Sequence, residues 1–249
     1  MNLEELAEEF LEFLDESEST AILTGAGVST ASGIPDFRGP QGLYKKLPQY
    51  IFDLDFFLSQ PAEYYKIAAD RIHNLFNKEP NATHRLLAML EKKGMIEGVI
   101  TQNIDGLHQK AGSKKVIELH GNAQKFFCMS CGKRYTAEDV LKMLEVSDVP
   151  KCTCGGLIKP DVVFFGEALP ESAMAEAYIL SENAELFITM GSSLVVYPAA
   201  HLPTFAKQKG AKLLIINQGE TGLDYIADKK YECDLAEFSE RIISLLGEV

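Results

Sequence analysis

Short apolar runs separated by stretches of helical periodicity constrain this chain more than any other feature of its sequence. Thr20–Thr24 (TAILT), 97–101 (EGVIT), 115–119 (KVIEL), 161–165 (DVVFF), Leu186–Met190 (LFITM) and Lys212–Ile216 (KLLII) each have the length of a strand. The last three are nearly unbroken apolar runs, which suits strands of a parallel sheet covered on both faces. Helical patterns lie near 171–182, 199–209 and 235–246, and Gly210 is placed to end the second. Residues 2–17 carry Leu3, Leu6, Ala7, Phe10, Leu11 and Leu14 on one stripe with acidic residues opposite. Residues 53–93 read as helices broken near Pro61 and Pro80. Strands alternating with helices predict an α/β fold, a Rossmann-like doubly wound parallel sheet.

The pattern is interrupted twice. Residues 37–75 and 126–158 are expected to form a smaller domain, a helical module plus a four-cysteine zinc ribbon. The Rossmann-like domain then consists of 1–36, 76–125 and 159–249. In the second interruption Cys128-x-x-Cys131 and Cys152-x-Cys154 form two close pairs, with Gly132 and Gly155-Gly156 at the turns. Four thiols so spaced suit a tetrahedral zinc site, and a site filled by four protein ligands leaves no position for water, so this zinc is expected to be structural. The second pair is tighter than the common CxxC. Cys233 stands apart and reads as a core residue.

Bulk properties narrow the function. The 249 residues carry a net charge of −12, a poor basis for direct nucleic-acid binding, which needs clustered Lys and Arg. The start, MNLEELAEEF, has neither the basic nor the apolar region of a secretory signal. No apolar run approaches the length of a membrane span. The expected location is the cytoplasm, where thiols stay reduced and can ligate metal.

Three sets of residues at predicted strand ends carry chemistry. Gly25-Ala26-Gly27 follows the first strand, where glycines permit a tight turn and close approach to a pyrophosphate. Position 30 is Thr rather than the third glycine of the dinucleotide fingerprint, and no acidic residue follows a second strand at the usual distance. An ordinary dehydrogenase is therefore disfavoured. Gln102, Asn103 and Asp105 follow 97–101 and could bond a ribose and a carboxamide, or simply cap the next helix. His120 follows 115–119 at a strand's C-terminal end, where ligands bind in an open α/β sheet, and its side chain suits a general base.

The longer run GAGVSTASGIPDFRG, 25–39, resembles the NAD-binding signature of the sirtuins, NAD⁺-dependent protein lysine deacylases. The resemblance continues at TQNIDGLH (101–108), ELHG (118–121), the four cysteines, VFFGE (163–167), GSSL (191–194) and Asn217. It implies attack of an acyl-lysine oxygen on ribose C1′ of NAD⁺, loss of nicotinamide, and formation of O-acyl-ADP-ribose and free lysine. It implies catalytic roles for His120 as base and for Asn103 and Asp105. Cofactor contacts would come from Gly25, Ala26, Gly27, Ser29, Asp36, Phe37, Arg38, Gln102, Asn103, Ile104, Asp105, Gly191, Ser192 and Asn217. Phe37 would shield C1′ from water. Val163, Phe165, Gly166 and Val195 would flank an acetylated peptide bound as an extended strand, a mode that leaves little side-chain specificity. Members that prefer dicarboxylic acyl groups carry Tyr-x-x-Arg in the helical stretch near 64–75. Here Tyr64 and Tyr65 are followed by Ile67 and Ala68, and Ala68 precedes Arg71, so neutral acyl groups are expected. A mono-ADP-ribosyltransferase using the same NAD site is the alternative enzyme, and a non-catalytic NAD-sensing module the alternative of another class. The sequence carries no reading of oligomeric state.

Overall fold

The computed structural model describes residues 2–36, 39, 42, 45 and 48–247, with backbone alone over 70–76. Helix α1 (Leu3–Asp15) leads into strand β1 (Thr20–Thr24) and a 3₁₀ helix (Ala26–Ser32). Helices α2 (Leu54–Ser59), α3 (Pro61–Phe76) and α4 (Ala82–Lys92) follow, then β2 (Gly98–Thr101), α5 (Leu107–Ala111), β3 (Val116–Glu118), β4 (Gly121–Cys128), β5 (Arg134–Thr136) and α6 (Ala137–Leu144). The chain continues through β6 (Ile158–Val162), α7 (Glu171–Asn183), β7 (Leu186–Met190), α8 (His201–Gln208), β8 (Lys212–Ile216), β9 (Lys229–Tyr231) and α9 (Leu235–Leu246). The helix starts follow local chemistry. Asn2, Asn81, Thr136 and Asp234 each accept backbone N–H groups of the first turn of α1, α4, α6 and α9.

The main sheet has the order β3-β2-β1-β7-β8-β9, and every pairing in it is parallel. Counted along the sheet's own strands this is the 3-2-1-4-5-6 order of a doubly wound fold. Alternate residues of each strand serve different cores. Ile22, Val99, Ile188 and Leu214 pack with Phe10 of α1, Leu86 and Leu90 of α4 and Phe238 of α9. Ala21, Leu23, Ile100, Phe187 and Leu213 pack on the other face with Ala177 and Leu180 of α7 and Leu202 and Ala206 of α8. Each such fully buried large side chain stabilises the fold by about 1.5–3 kcal/mol. Burial on both faces is why these strands read as unbroken apolar runs.

Two expectations about strands need correction. The 161–165 run does not join the parallel sheet. Its first residues belong to β6, which pairs antiparallel with β4 in a separate sheet of order β5-β4-β6. A short apolar run records burial, and the direction of the partner strand is a tertiary fact. The sixth strand of the parallel sheet is instead β9, sequence KKY. It lies at an edge, where Lys229 pairs with Glu9 and Lys230 with Asp224 while Tyr231 alone is buried. Charged residues are common at such edges and hide the strand from an apolar scan.

A third core joins residues from the two interruptions with Phe164, just beyond the second. Ile51, Phe57, Tyr64 and Tyr65 pack against Phe126, Val140, Ile158 and Phe164, and the Tyr65 hydroxyl donates to the Ile158 carbonyl at 2.6 Å. The antiparallel sheet starts at Gly121 and ends at Val162, so it runs wider than 126–158 on both sides.

Candidate active site

The C-terminal ends of β1, β2, β3, β7 and β8 open onto one cavity of 1520 Å³. It lies where strand order reverses, between β1 and β7, the place at which ligands bind in open α/β sheets. Two backbone turns form its floor. The space a Cβ would need at Gly25 is filled by the Gly191 carbonyl oxygen at 2.7 Å, and at Gly27 by the Gly191 Cα at 2.8 Å. These glycines are therefore required by the contact between the turns after β1 and β7. At the first turn, Gly25, Gly27 and Val28 donate to Met190, Gly191 and Gly25 carbonyls, which leaves the Ala26 N–H available to an anion.

Behind this floor lies a directional hydrogen-bond chain. The Asn81 N–H donates to His84 Nδ1 at 3.3 Å, so the His84 proton sits on Nε2, 3.4 Å from Ser29 Oγ. Ser29 in turn donates to Asp105 Oδ2 at 2.7 Å. Asp105 Oδ1 accepts the Leu107 N–H at 2.9 Å, although the N-cap position of α5 is held by Gly106. Burial raises the Asp105 carboxyl above its ordinary value, against the Leu107 and Ser29 bonds that lower it. Asn103 donates from Nδ2 to the Gly25 carbonyl at 3.0 Å and to Ser29 at 3.2 Å, which leaves its Oδ1 as an acceptor. The Ile104 carbonyl accepts from Ala123.

His120 lines the same cavity. Its Nδ1 lies 3.0 Å from the Gln102 carbonyl oxygen, an acceptor only, so Nδ1 carries the proton and Nε2 holds a lone pair. Burial lowers the imidazole from its ordinary value, with the Gln102 bond opposing. Gly121 turns the chain sharply after it at φ +77°, where a Cβ would lie 1.9 Å from the Asp161 carbonyl oxygen. Gln102 also reaches across to Ser192, donating from Nε2 at 2.9 Å.

Away from the cavity, the sulfurs of Cys128, Cys131, Cys152 and Cys154 all lie within 4.8 Å of one another. Cys128 and Cys154 are 3.5 Å apart and Cys131 and Cys152 3.6 Å. A tetrahedron of 2.3 Å Zn–S bonds has edges of about 3.8 Å, so the cluster fits zinc despite the tight CxC. The Cys154 N–H and the Tyr135 hydroxyl pull the Cys152 thiol down to about 5, while, against the Gly156 N–H, the neighbouring thiols push Cys154 up to about 12.

The Sir2 family model matches residues 25–198. The chain belongs to the Sir2 family. This Sir2 chain is 58% identical to an NAD-dependent protein deacetylase of Thermotoga maritima over 94% of its own length and 96% of the relative's. It is 48% identical to one of Saccharolobus solfataricus, over 92% and 90%. Among solved structures it resembles a Sir2 protein with a p53 peptide and NAD⁺, at TM-score 0.91 and 56% identity, over 96% and 98% of the two chains. A Sir2 protein bound to a propionylated peptide matches at TM-score 0.90 and 55% identity, over 96% and 98%.

In this Sir2 chain the cavity is lined by Gly25, Ala26, Gly27, Ser29, Asp36, Gln102, Asn103, Ile104, Asp105, His120, Val163, Phe165, Gly166, Gly191, Ser192 and Asn217. Val195 lies just outside that lining, half exposed beside Val196 and Tyr197, which are part of it. Phe37 and Arg38, and the side chain of Arg71, lie outside the described residues. Residues not foreseen in the lining include Lys78, Leu169, Gln218, Glu220 and Asp234. They sit in four loops with no motif of their own, Gln218 and Glu220 sharing one, and the chain's path alone gathers them.

Proposed function

We propose that this Sir2 protein removes acetyl and other neutral acyl groups from protein lysines, consuming NAD⁺ and releasing nicotinamide and O-acyl-ADP-ribose. The observation that carries the reading is the tautomer of His120, proton-bearing at Nδ1 through Gln102 and basic at Nε2, on a cavity shared with Asn103 and Asp105. NAD⁺ supplies an activated ribose C1′ with nicotinamide as leaving group, and the substrate's acyl oxygen is the nucleophile. Burial keeps His120 neutral, ready to take a proton from the ribose 2′-hydroxyl.

In this reading the turn at Gly25, Ala26 and Gly27, with Ser29, holds the pyrophosphate. Asn103 accepts from ribose through Oδ1. Asp105 and the Ile104 backbone hold the carboxamide, with the Asp105 carboxylate aimed by Ser29. Gly191, Ser192 and Asn217 meet the adenosine end, and Gln102 buttresses it through Ser192. Asp36 lies on the cofactor side of the cavity, and of the two residues outside the described ones we assign Phe37 the shielding of C1′ from water and Arg38 a phosphate or ribose contact. Val163, Phe165, Gly166 and Val195 flank an acyl peptide that adds as an extended strand. Cys128, Cys131, Cys152 and Cys154 hold one structural zinc outside the chemistry. We assign 37–75 and 126–158 to the small domain, since one core draws on both. Among the described residues no helix is long and apolar enough to cross a membrane, and we place the protein in the cytoplasm, where four reduced thiols keep their metal.

The relatives named as NAD-dependent deacetylases and the Sir2 complexes with p53 peptide, NAD⁺ and propionylated peptide support this reading. The test is an acetyl-lysine peptide assay with and without NAD⁺, followed by mass spectrometry. NAD⁺-dependent loss of the acetyl mass with nicotinamide release is expected. Nicotinamide release with a gain of ADP-ribose mass on the peptide would instead identify a mono-ADP-ribosyltransferase.

A further inference from the structure

Lys159 is a buried lysine that the reaction outlined above does not use. Only 3% of its side chain is exposed, yet its Nζ lies 2.8 Å from Glu167 Oε2 and 2.7 Å from the Val162 carbonyl oxygen. The Pro160 carbonyl is at 3.4 Å, and the ring centroid of Phe164 at 4.4 Å. A buried ammonium is costly unless paired and hydrogen-bonded, and here it is both. Glu167 is tied in turn to the segment it closes. Its Oε2 accepts the Phe164 N–H at 2.8 Å, and its own N–H donates to the Phe164 carbonyl at 3.0 Å. The result is a tight turn over 164–167 with Gly166 at φ +94°, held at its base by one ion pair.

That turn is the end of a strap with two further anchors. The Val163 N–H donates to the carbonyl of His120 at 2.9 Å, and Phe165 exchanges backbone bonds with Phe52 and Leu54 at 2.8 and 3.1 Å. Among the described residues, these bonds leave the Val163 carbonyl and both backbone groups of Gly166 without a protein partner on a segment that lines the cavity. The strap therefore offers a short free edge, and its distance from His120 depends on how firmly 162–167 is clamped.

We propose that Lys159, through Glu167, is a positioning residue that sets the acyl-peptide edge in register with His120. The inference rests on the deacylase reading. It assigns to Lys159 no contact with substrate and no proton transfer. Its effect is to hold the Val163 and Gly166 backbone groups where an extended peptide can pair with them.

The experiment compares steady-state kinetics of the zinc-loaded wild type with Lys159→Met and with the doubly neutral Lys159→Met/Glu167→Gln. Removing one partner of a buried pair destabilises strongly, whereas removing both charges can be nearly neutral, so the double variant separates folding from positioning. The expected result is a double variant with wild-type melting temperature and zinc content. Its KM for acetyl peptide should rise about tenfold, equivalent to about 1.4 kcal/mol, with a much smaller change in kcat and in KM for NAD⁺. If the double variant folds and its peptide KM equals that of the wild type, the pair is structural only and the proposal fails. If the double variant does not fold, amide exchange at Val163 and Phe165, the two bonded amides of the strap, in Lys159→Met decides, and unchanged protection there overturns the proposal. A wild type that never removes acetyl from the peptide refutes the deacylase reading itself, an outcome distinct from either of these.

Discussion

A single backbone carbonyl decides what His120 can do. Because Gln102 accepts from Nδ1, the basic nitrogen is Nε2, and burial holds the ring below its usual protonation range. His120→Ala should lower kcat by about a hundredfold or more while calorimetry still detects NAD⁺ binding. For the wild type, the acid limb of kcat/KM should fall below the usual histidine value of about 6.5, since the base stays neutral to lower pH. A limb above that value would exclude His120 as the base. Gly191 is constrained differently. It sits at φ +64°, and a Cβ would meet the Val28 nitrogen at 2.5 Å. Gly191→Ala should cost about 2 kcal/mol or more, from strain in a sparsely allowed backbone region plus the clash, measurable by urea unfolding. The motif reading identified this glycine as a cofactor residue, but only the folded chain shows that it is also where two turns touch.

At the scale of elements, the small sheet is a thin structure whose end carries four thiols. Cys128 closes β4, and Cys152 and Cys154 belong to the loop that returns to β6. Zinc binding free energy is then folding free energy for this part of the chain. Removing zinc with a chelator, or replacing Cys131 by Ser, should open 128–154 to protease while the parallel sheet keeps its far-ultraviolet signal. Equal protease resistance with and without metal would show that the third core suffices alone. The paired cysteines made this module legible from spacing. The direction of β6 was not legible, because Ile158 and Phe164 are buried and Val162 is partly buried whichever strand they pair with.

At the scale of the molecule, two buried histidines link the site to acid stability. Burial lowers His84 to about 4 and His108 to about 3, with the neighbouring Arg85 and His84 charges, respectively, adding to the effect. Their rings stand 4.9 Å apart beneath the cavity floor. Both are neutral in the fold and free to charge in the unfolded chain, which therefore binds more protons from about pH 6.5 down to about 4 for His84 and about 3 for His108. Stability from these two groups is fully present above about 6.5 and is lost as pH falls through that window. Asp105, raised by burial, acts in the opposite sense. Calorimetry from pH 7.5 to 4.5 should show the melting temperature falling, and His108→Gln should flatten the slope. An unchanged slope in that variant would mean that His108 is not a source of the acid sensitivity.

The sequence by itself determined the α/β class, the cysteine cluster, the family and sixteen of the residues that line the cavity. Each of these rests on local chemistry: apolar runs of strand length, ligand pairs at fixed spacing, and motif blocks at strand ends. Tertiary structure decided the partner of β6, the edge strand β9, the contact between the Gly25 and Gly191 turns, and the buried ion pair of Lys159 with Glu167. These depend on which distant segments meet, such as β1 with β7 or Lys159 with Glu167, and no local pattern records a meeting across the fold.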